Sequence, residues 1–134
     1  MDNSDLLNHL AAGVFDRPID ADQLRAFLED PRHVMFVAID DGAVVGVASA
    51  VEYFHPDKKP ELWINEVGVT PTHQRQGIGR QLVAALLKAA RDRGCATAWV
   101  LTEPGNEAAP ACYGAVSDQA RSRTSLLVEW GFDE

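Results

Sequence analysis

Apolar positions along the chain change their period several times, and the changes mark out the elements. Leu6, Leu7, Leu10 and Ala11 recur at helical spacing behind Ser4, which predicts a first helix. Asp20 and Gln23 stand three apart like a capping box ahead of Leu24, Phe27 and Leu28, so a second helix is expected to stop before Pro31. The period then shortens to that of strands. Residues 34–39 and 43–54 are β-rich runs that meet at Asp40-Asp41-Gly42, a hairpin signal. Residues 55–60 form a polar loop bounded by Pro56 and Pro60, and residues 61–69 read as a third strand. Helical spacing returns over residues 79–93, where Leu82, Val83, Leu86, Leu87 and Ala90 share one face and Gly94 is the stop. A strand over 96–102, a short helix up to Tyr113 and a closing strand over 124–130 complete the pattern.

This order implies an α/β (α+β) domain over residues 1–134, with a mixed sheet: an antiparallel meander followed by a parallel crossover through the long helix. A length of 134 residues and an apolar fraction of 46% suit one core under one sheet. The longest apolar run, residues 43–51, is far short of the roughly 20 needed to span a bilayer. Acidic residues near the start speak against an export signal, so a cytoplasmic protein with no membrane partner is expected. Cys95 and Cys112 lack metal or redox spacing and read as packed thiols, and no metal site is expected.

Charge changes the picture. Net charge is −8, yet residues 70–95 carry five cations against Asp92, or +4, leaving −12 for the remainder. A basic loop and helix in an acidic chain suit an anionic ligand there and a cationic partner elsewhere; a solvated surface with one basic helix face accounts for the same numbers. The loop itself is more specific. Gln74-Arg75-Gln76-Gly77-Ile78-Gly79 joins a strand to the amphipathic helix, placing free N–H groups and the positive end of a helix dipole around a phosphate-sized concavity. Arg80-Gln81 follows Gly79 where a nucleotide-triphosphatase loop needs Lys-Ser/Thr, and Leu82 stands where a dinucleotide fingerprint needs glycine.

The six residues from Gln74 to Gly79 resemble the Gln/Arg-x-x-Gly-x-Gly/Ala signature of the Gcn5-related N-acetyltransferase superfamily. Three further stretches resemble it in register: Ile64-Asn65-Glu66-Val67-Gly68-Val69, Trp99-Val100-Leu101-Thr102, and Asn106 to Tyr113 with its Asn-x-x-Ala-x-x-x-Tyr pattern. Within the superfamily the chain is most similar to the group containing aminoglycoside 3-N-acetyltransferases. The resemblance implies a mixed central sheet with helices on both faces, its usual first strand missing here, so that a second subunit could cover the open edge in a homodimer. The polar stretch 114–123 also departs from the family's apolar Gly-Phe segment.

By resemblance, acetyl-CoA is the cosubstrate. Backbone N–H groups of Arg75, Gln76, Gly77, Ile78, Gly79 and Arg80 would take its diphosphate, with Gln74 opening the loop. Val67, Gly68 and Val69 would pair with the pantetheine arm, Gly68 being compatible with a bulge there or else merely relieving crowding, and Asn106 would add a contact. Glu66 is the candidate general base, or else a carboxylate that only attracts a cationic amine. A backbone N–H near Val67 would face the oxyanion. Tyr113 is the candidate acid for the departing thiolate, or else a packing residue. Asp16, Asp20, Asp22, Glu52, Asp57 and Glu61 lie in or beside segments that line the acceptor cleft, with His55 as a second proton carrier or a surface residue. The expected reaction moves acetyl to a primary amine of a cationic small molecule such as an aminoglycoside; a polyamine, metabolite or peptide amine, or acyl-CoA sensing without turnover, are the alternatives. A pI near 4.9 and the lack of an aromatic-basic patch speak against a nucleic-acid partner.

Overall fold

A computed structural model describes residues 3–102 and 121–133. Asn106, Cys112, Tyr113 and the short helix expected around them lie outside the described residues. The described elements are a 3-10 helix Asn3–Asn8, α1 (Ala21–Glu29), β1 (His33–Asp40), β2 (Ala43–Tyr53), β3 (Glu61–Val69), a 3-10 turn Pro71–His73, α2 (Ile78–Asp92) and β4 (Thr97–Val100).

The strands lie in the order β1-β2-β3-β4, the first three antiparallel and β3 parallel to β4. This is the expected meander followed by a crossover through α2. Asp41 and Gly42 close the β1–β2 hairpin with φ of 51° and 78°, the left-handed pair that the right-handed strand twist favours. Among the described residues β1 has no neighbour on its outer side.

Each face of the sheet has its own core. Ala48, Ala50, Leu62 and Ile64 pack against Leu82, Val83, Leu86 and Ala90 of α2. Leu62 and Leu86 are fully buried, each contributing about 1.5–3 kcal/mol by leaving water. On the opposite face Val14, Val44 and Val47 gather Leu10, Phe15, Met35 and Val37. The first helix is shorter than its periodicity suggests. It ends at Asn8 because the chain straightens to bridge β2, where Val44 N–H donates to the His9 carbonyl and Ala11 N–H to the Val44 carbonyl. Asp20 caps α1 by accepting from the N–H groups of Asp22 and Gln23 at 2.9 and 3.1 Å.

The closing strand expected over 124–130 is not formed. Residues 121–133 carry no helix, strand, turn or bend and are exposed throughout. Their apolar side chains have no described sheet edge beside them, and a strand without a neighbour has no ladder to stabilise it.

Candidate active site

The site begins at an irregularity in β3. Ser49 of β2 stands opposite Glu66, while the next residue, Ala50, stands opposite Ile64, so Asn65 is an extra residue in β3. Leu62 and Ile64 pack toward α2, which turns Glu61 and Trp63 to the other face. The extra residue reverses this alternation, so Glu66 takes the face away from α2 and Val67 packs toward it. The bulge therefore lies at Asn65, three residues before Gly68. Of the two readings of Gly68 the structure bears out relief of crowding: a Cβ there would run into the Val14 carbonyl oxygen.

The described ladder between β3 and β4 pairs Glu61 with Thr97 and runs to Ile64 opposite Val100. Among the described residues, Asn65 to Val69 have no partner on that side of β3. The bulge aims Glu66 away from α2.

The loop that follows is held from several sides. Thr70 N–H donates to the Val45 carbonyl at 2.8 Å and its hydroxyl to the Ala12 carbonyl at 2.6 Å. His73 bridges the Thr72 hydroxyl at 2.8 Å and the Asp40 carboxylate at 2.7 Å, tying the loop to the β1–β2 hairpin. The Gln74 side-chain amide donates to the Val69 carbonyl at 3.0 Å, so its part is to brace the loop against β3. Arg75 and Gly77 take φ of 65° and 83°, and such left-handed residues within a turn direct successive N–H groups inward. The first bond of α2 runs from Gln81 N–H to the Gly77 carbonyl, leaving the N–H groups of Ile78, Gly79 and Arg80 without helical partners. No side chain caps this end and its first turn has no carboxylate. The loop fits a diphosphate: donors, dipole and the exposed Arg75 and Arg80 share one sign.

Beyond Glu66 lies a cleft of about 490 Å³ between the 15–20 segment, α1 and the sheet, lined by Asp16, Asp20, Gln23, Phe27, Ser49 and Glu66 among others. Three carboxylates against Arg17 make it suited to a cation.

The other candidate acids separate. Glu52 is buried on the α2 face, where it accepts from Arg93 at 3.1 Å beside Cys95, so it ties α2 to the sheet and is no part of the cleft. Burial, then the nearby Glu52 carboxylate, push the Cys95 thiol upward from its ordinary pKa, with Arg93 opposing. Glu61 holds His55 at 2.6 Å in a half-buried pair next to Tyr53. Asp22 is engaged with Arg25 on the outer side of α1, and Asp57 is exposed near Lys58. Sequence reasoning missed Thr70, His73, Asp40 and Ser49. Only the position of His73 next to the loop could have drawn attention to any of them.

Comparisons with known proteins agree with this geometry. An aminoglycoside N(6')-acetyltransferase type 1 of Salmonella typhimurium is 26% identical over 119 residues, covering 86% of this chain and 74% of the relative. A mycothiol acetyltransferase of Saccharopolyspora erythraea is 41% identical over 59 residues, covering 44% of this chain and only 19% of that protein. A ribosomal protein bS18 alanine N-acetyltransferase of Escherichia coli is 40% identical over 53 residues, 40% of this chain and 36% of the relative. Two solved structures share the fold. An aminoglycoside acetyltransferase from an uncultured soil metagenomic sample, in complex with trehalose, superposes with a TM-score of 0.76 at 23% identity over 87% of this chain and 76% of its own. An aminoglycoside N-acetyltransferase in complex with CoA gives 0.68 at 21% over 81% and 74%. Resemblance to the aminoglycoside enzymes is thus upheld, with the N(6') type represented among them. Residues 4–116 match the Acetyltransferase (GNAT) family, and the chain belongs to that family.

Proposed function

We propose that the chain transfers an acetyl group from acetyl-CoA to a primary amine of a cationic small molecule, with an aminoglycoside as the leading acceptor. The observation that carries this reading is the bulge in β3. The extra residue at Asn65 turns Glu66 into an acidic cleft, on the strand that leads to the α2 loop. In this reading the N–H groups from Arg75 to Arg80 hold the diphosphate, and Val67 to Val69 lie along the pantetheine arm. A solved structure of the same fold holds CoA, which supports that placement. Acetyl-CoA supplies the thioester carbonyl that the amine attacks.

Glu66 takes the proton that an ammonium must lose before it becomes a nucleophile. Its side chain is exposed in the cleft, so a water between carboxylate and amine fits as well as direct contact. Asp16 and Asp20 draw the cation in and orient it. Tyr113 donates toward the departing thiolate; a phenol at about pKa 10 cannot fully protonate a thiolate near 8.5, but a hydrogen bond to it suffices.

Thiol release from acetyl-CoA, measured with an aminoglycoside, spermidine and a basic peptide, tests the reading. Turnover fastest with the aminoglycoside is the expected result, and turnover fastest with another amine reassigns the acceptor. Binding of acetyl-CoA with no thiol released by any amine favours a sensor and overturns the enzymatic reading. Glu66→Gln is expected to lower kcat by about 10²-fold, and Tyr113→Phe to lower it by a smaller factor, with little change in coenzyme affinity.

A further inference from the structure

Glu61 and Trp63 share with Glu66 the face of the sheet away from α2, and the strand registers order that face into rows. Met35, Ser49 and Glu66 stand opposite one another across β1, β2 and β3, in the acidic cleft. The next row runs His33, Val51, Trp63 and Trp99, across all four strands. A third sets Tyr53 opposite Glu61. Ser49, Val51 and Tyr53 alternate along β2, so each row lies about 7 Å from the one before it. The cleft around Glu66 thus continues along the sheet as an aromatic row, with the row of Glu61 about 14 Å from that of Glu66.

The aromatic row is shaped to hold a flat group. Trp63 and Trp99 stack at 5.2 Å and 12°, close to the spacing of neighbouring strands, so both rings stand edge-on to the sheet. One face of Trp63 meets Trp99, and the other looks over Val51, the smallest side chain of the row. Trp63 is 38% exposed and belongs to neither core, so packing does not account for it. Beyond Val51, His33 packs on Phe27 at 4.9 Å, and Phe27 is also a wall of the cleft. Trp99 is fixed by donating from its indole nitrogen to the Tyr53 hydroxyl at 2.9 Å. Tyr53 lies edge-on to His55, which pairs with Glu61 at 2.6 Å.

We propose that Trp63 and Val51 form a second acceptor subsite, where one ring of a multi-ring amino sugar lies against the free indole face while the amine of an adjoining ring reaches Glu66. The proposal rests on the reading of Glu66 as the reaction centre and narrows the acceptor within it. Two features select linked rings over a linear polyamine. The free indole face is flat and apolar, and the C–H face of a sugar ring covers far more of it than a single methylene chain does. The step of about 7 Å between rows is also that of one ring and its linkage. Charge selects a polycation: Asp16, Asp20 and Glu66 stand at one end and Glu61, oriented by His55, at the other.

Calorimetric titration of kanamycin, and of spermidine as the linear control, into the full chain tests this. Coenzyme A is kept present to occupy the donor site without turnover. Trp63→Ala is expected to weaken kanamycin binding about tenfold, as the loss of one ring contact implies, and to change spermidine binding less than twofold. Trp63→Phe keeps a flat ring and is expected to restore kanamycin binding to within about threefold of the parent chain. Circular dichroism and coenzyme A affinity stay unchanged in both variants. The proposal is overturned by a parent chain that does not bind kanamycin, by Trp63→Ala binding it as the parent does, or by both ligands weakening alike. A Trp63→Phe chain that binds kanamycin no better than Trp63→Ala overturns it too. Thiol release from acetyl-CoA answers a separate question: its absence with every amine removes the acetyl-transfer reading, while the ring-dependent loss of binding stands or falls without it.

Discussion

At the scale of single residues, environment decides what each group does, and composition alone misjudges it. Glu52 and Glu66 are both glutamates on neighbouring strands. One is buried against Arg93 and the other opens into a cleft, because they fall on opposite faces of the sheet. That separation depends on a bulge with no sequence mark of its own, so Glu66 was legible only through its motif, and the misplacement of Glu52 was unavoidable. Cys95 shows the same dependence. Its raised pKa means that the unfolded thiol ionises first as pH climbs past about 8.5, so stability is lost above that point until the folded thiol ionises too. Thermal melts from pH 7 to 11 are expected to show a smaller alkaline decline in Cys95→Ala than in the parent chain; equal declines would remove Cys95 from the account. His73 acts by position, being bonded to Thr72 and Asp40 at the root of the loop. His73→Ala is expected to raise the KM for acetyl-CoA about fivefold, the equivalent of one hydrogen bond near 1 kcal/mol, while kcat changes little. A fall in kcat with KM unchanged would show that the residue does more than hold the loop.

At the scale of elements, what the sequence states through period and turn chemistry came out as read. The β1–β2 hairpin at Asp41-Gly42, the nine-residue β3 and the long α2 all carry their signals locally, in two glycine-marked turns and a clean apolar stripe. What failed was non-local. The first helix yields to a bridge between Leu10 and Val44, a pairing that joins residues far apart in the chain. The bulge at Asn65 shows only in how β3 pairs with β2, which no window of sequence contains. Gly68 was legible as a site of crowding, but the crowding neighbour, the Val14 carbonyl, comes from a distant segment. Gly68→Ala is expected to lower stability by about 2 kcal/mol or more, because the neighbour that must move is backbone. Denaturant unfolding checks this, and a loss under 0.5 kcal/mol would mean that the 10–15 segment packs less closely than described.

At the scale of the whole molecule, one sheet separates two jobs. The α2 face supplies most of the core and anchors the loop; the opposite face carries the acidic cleft and the aromatic row. No helix among the described residues is long and apolar enough to cross a membrane. The uneven charge seen in the sequence now has a geometry, with a basic loop at the α2 start and carboxylates around Glu66.

The proposed function rests on the loop between β3 and α2 gripping a diphosphate while the edge of β3 from Val67 to Val69 takes the arm that follows it. Calorimetric titration with acetyl-CoA tests this most directly. Saturable binding of one molecule per chain is expected, weakened more than tenfold by Gly77→Asp, which introduces a carboxylate and a strained left-handed residue where the anion should sit. Heat that never saturates, or binding that Gly77→Asp leaves unchanged, would contradict it.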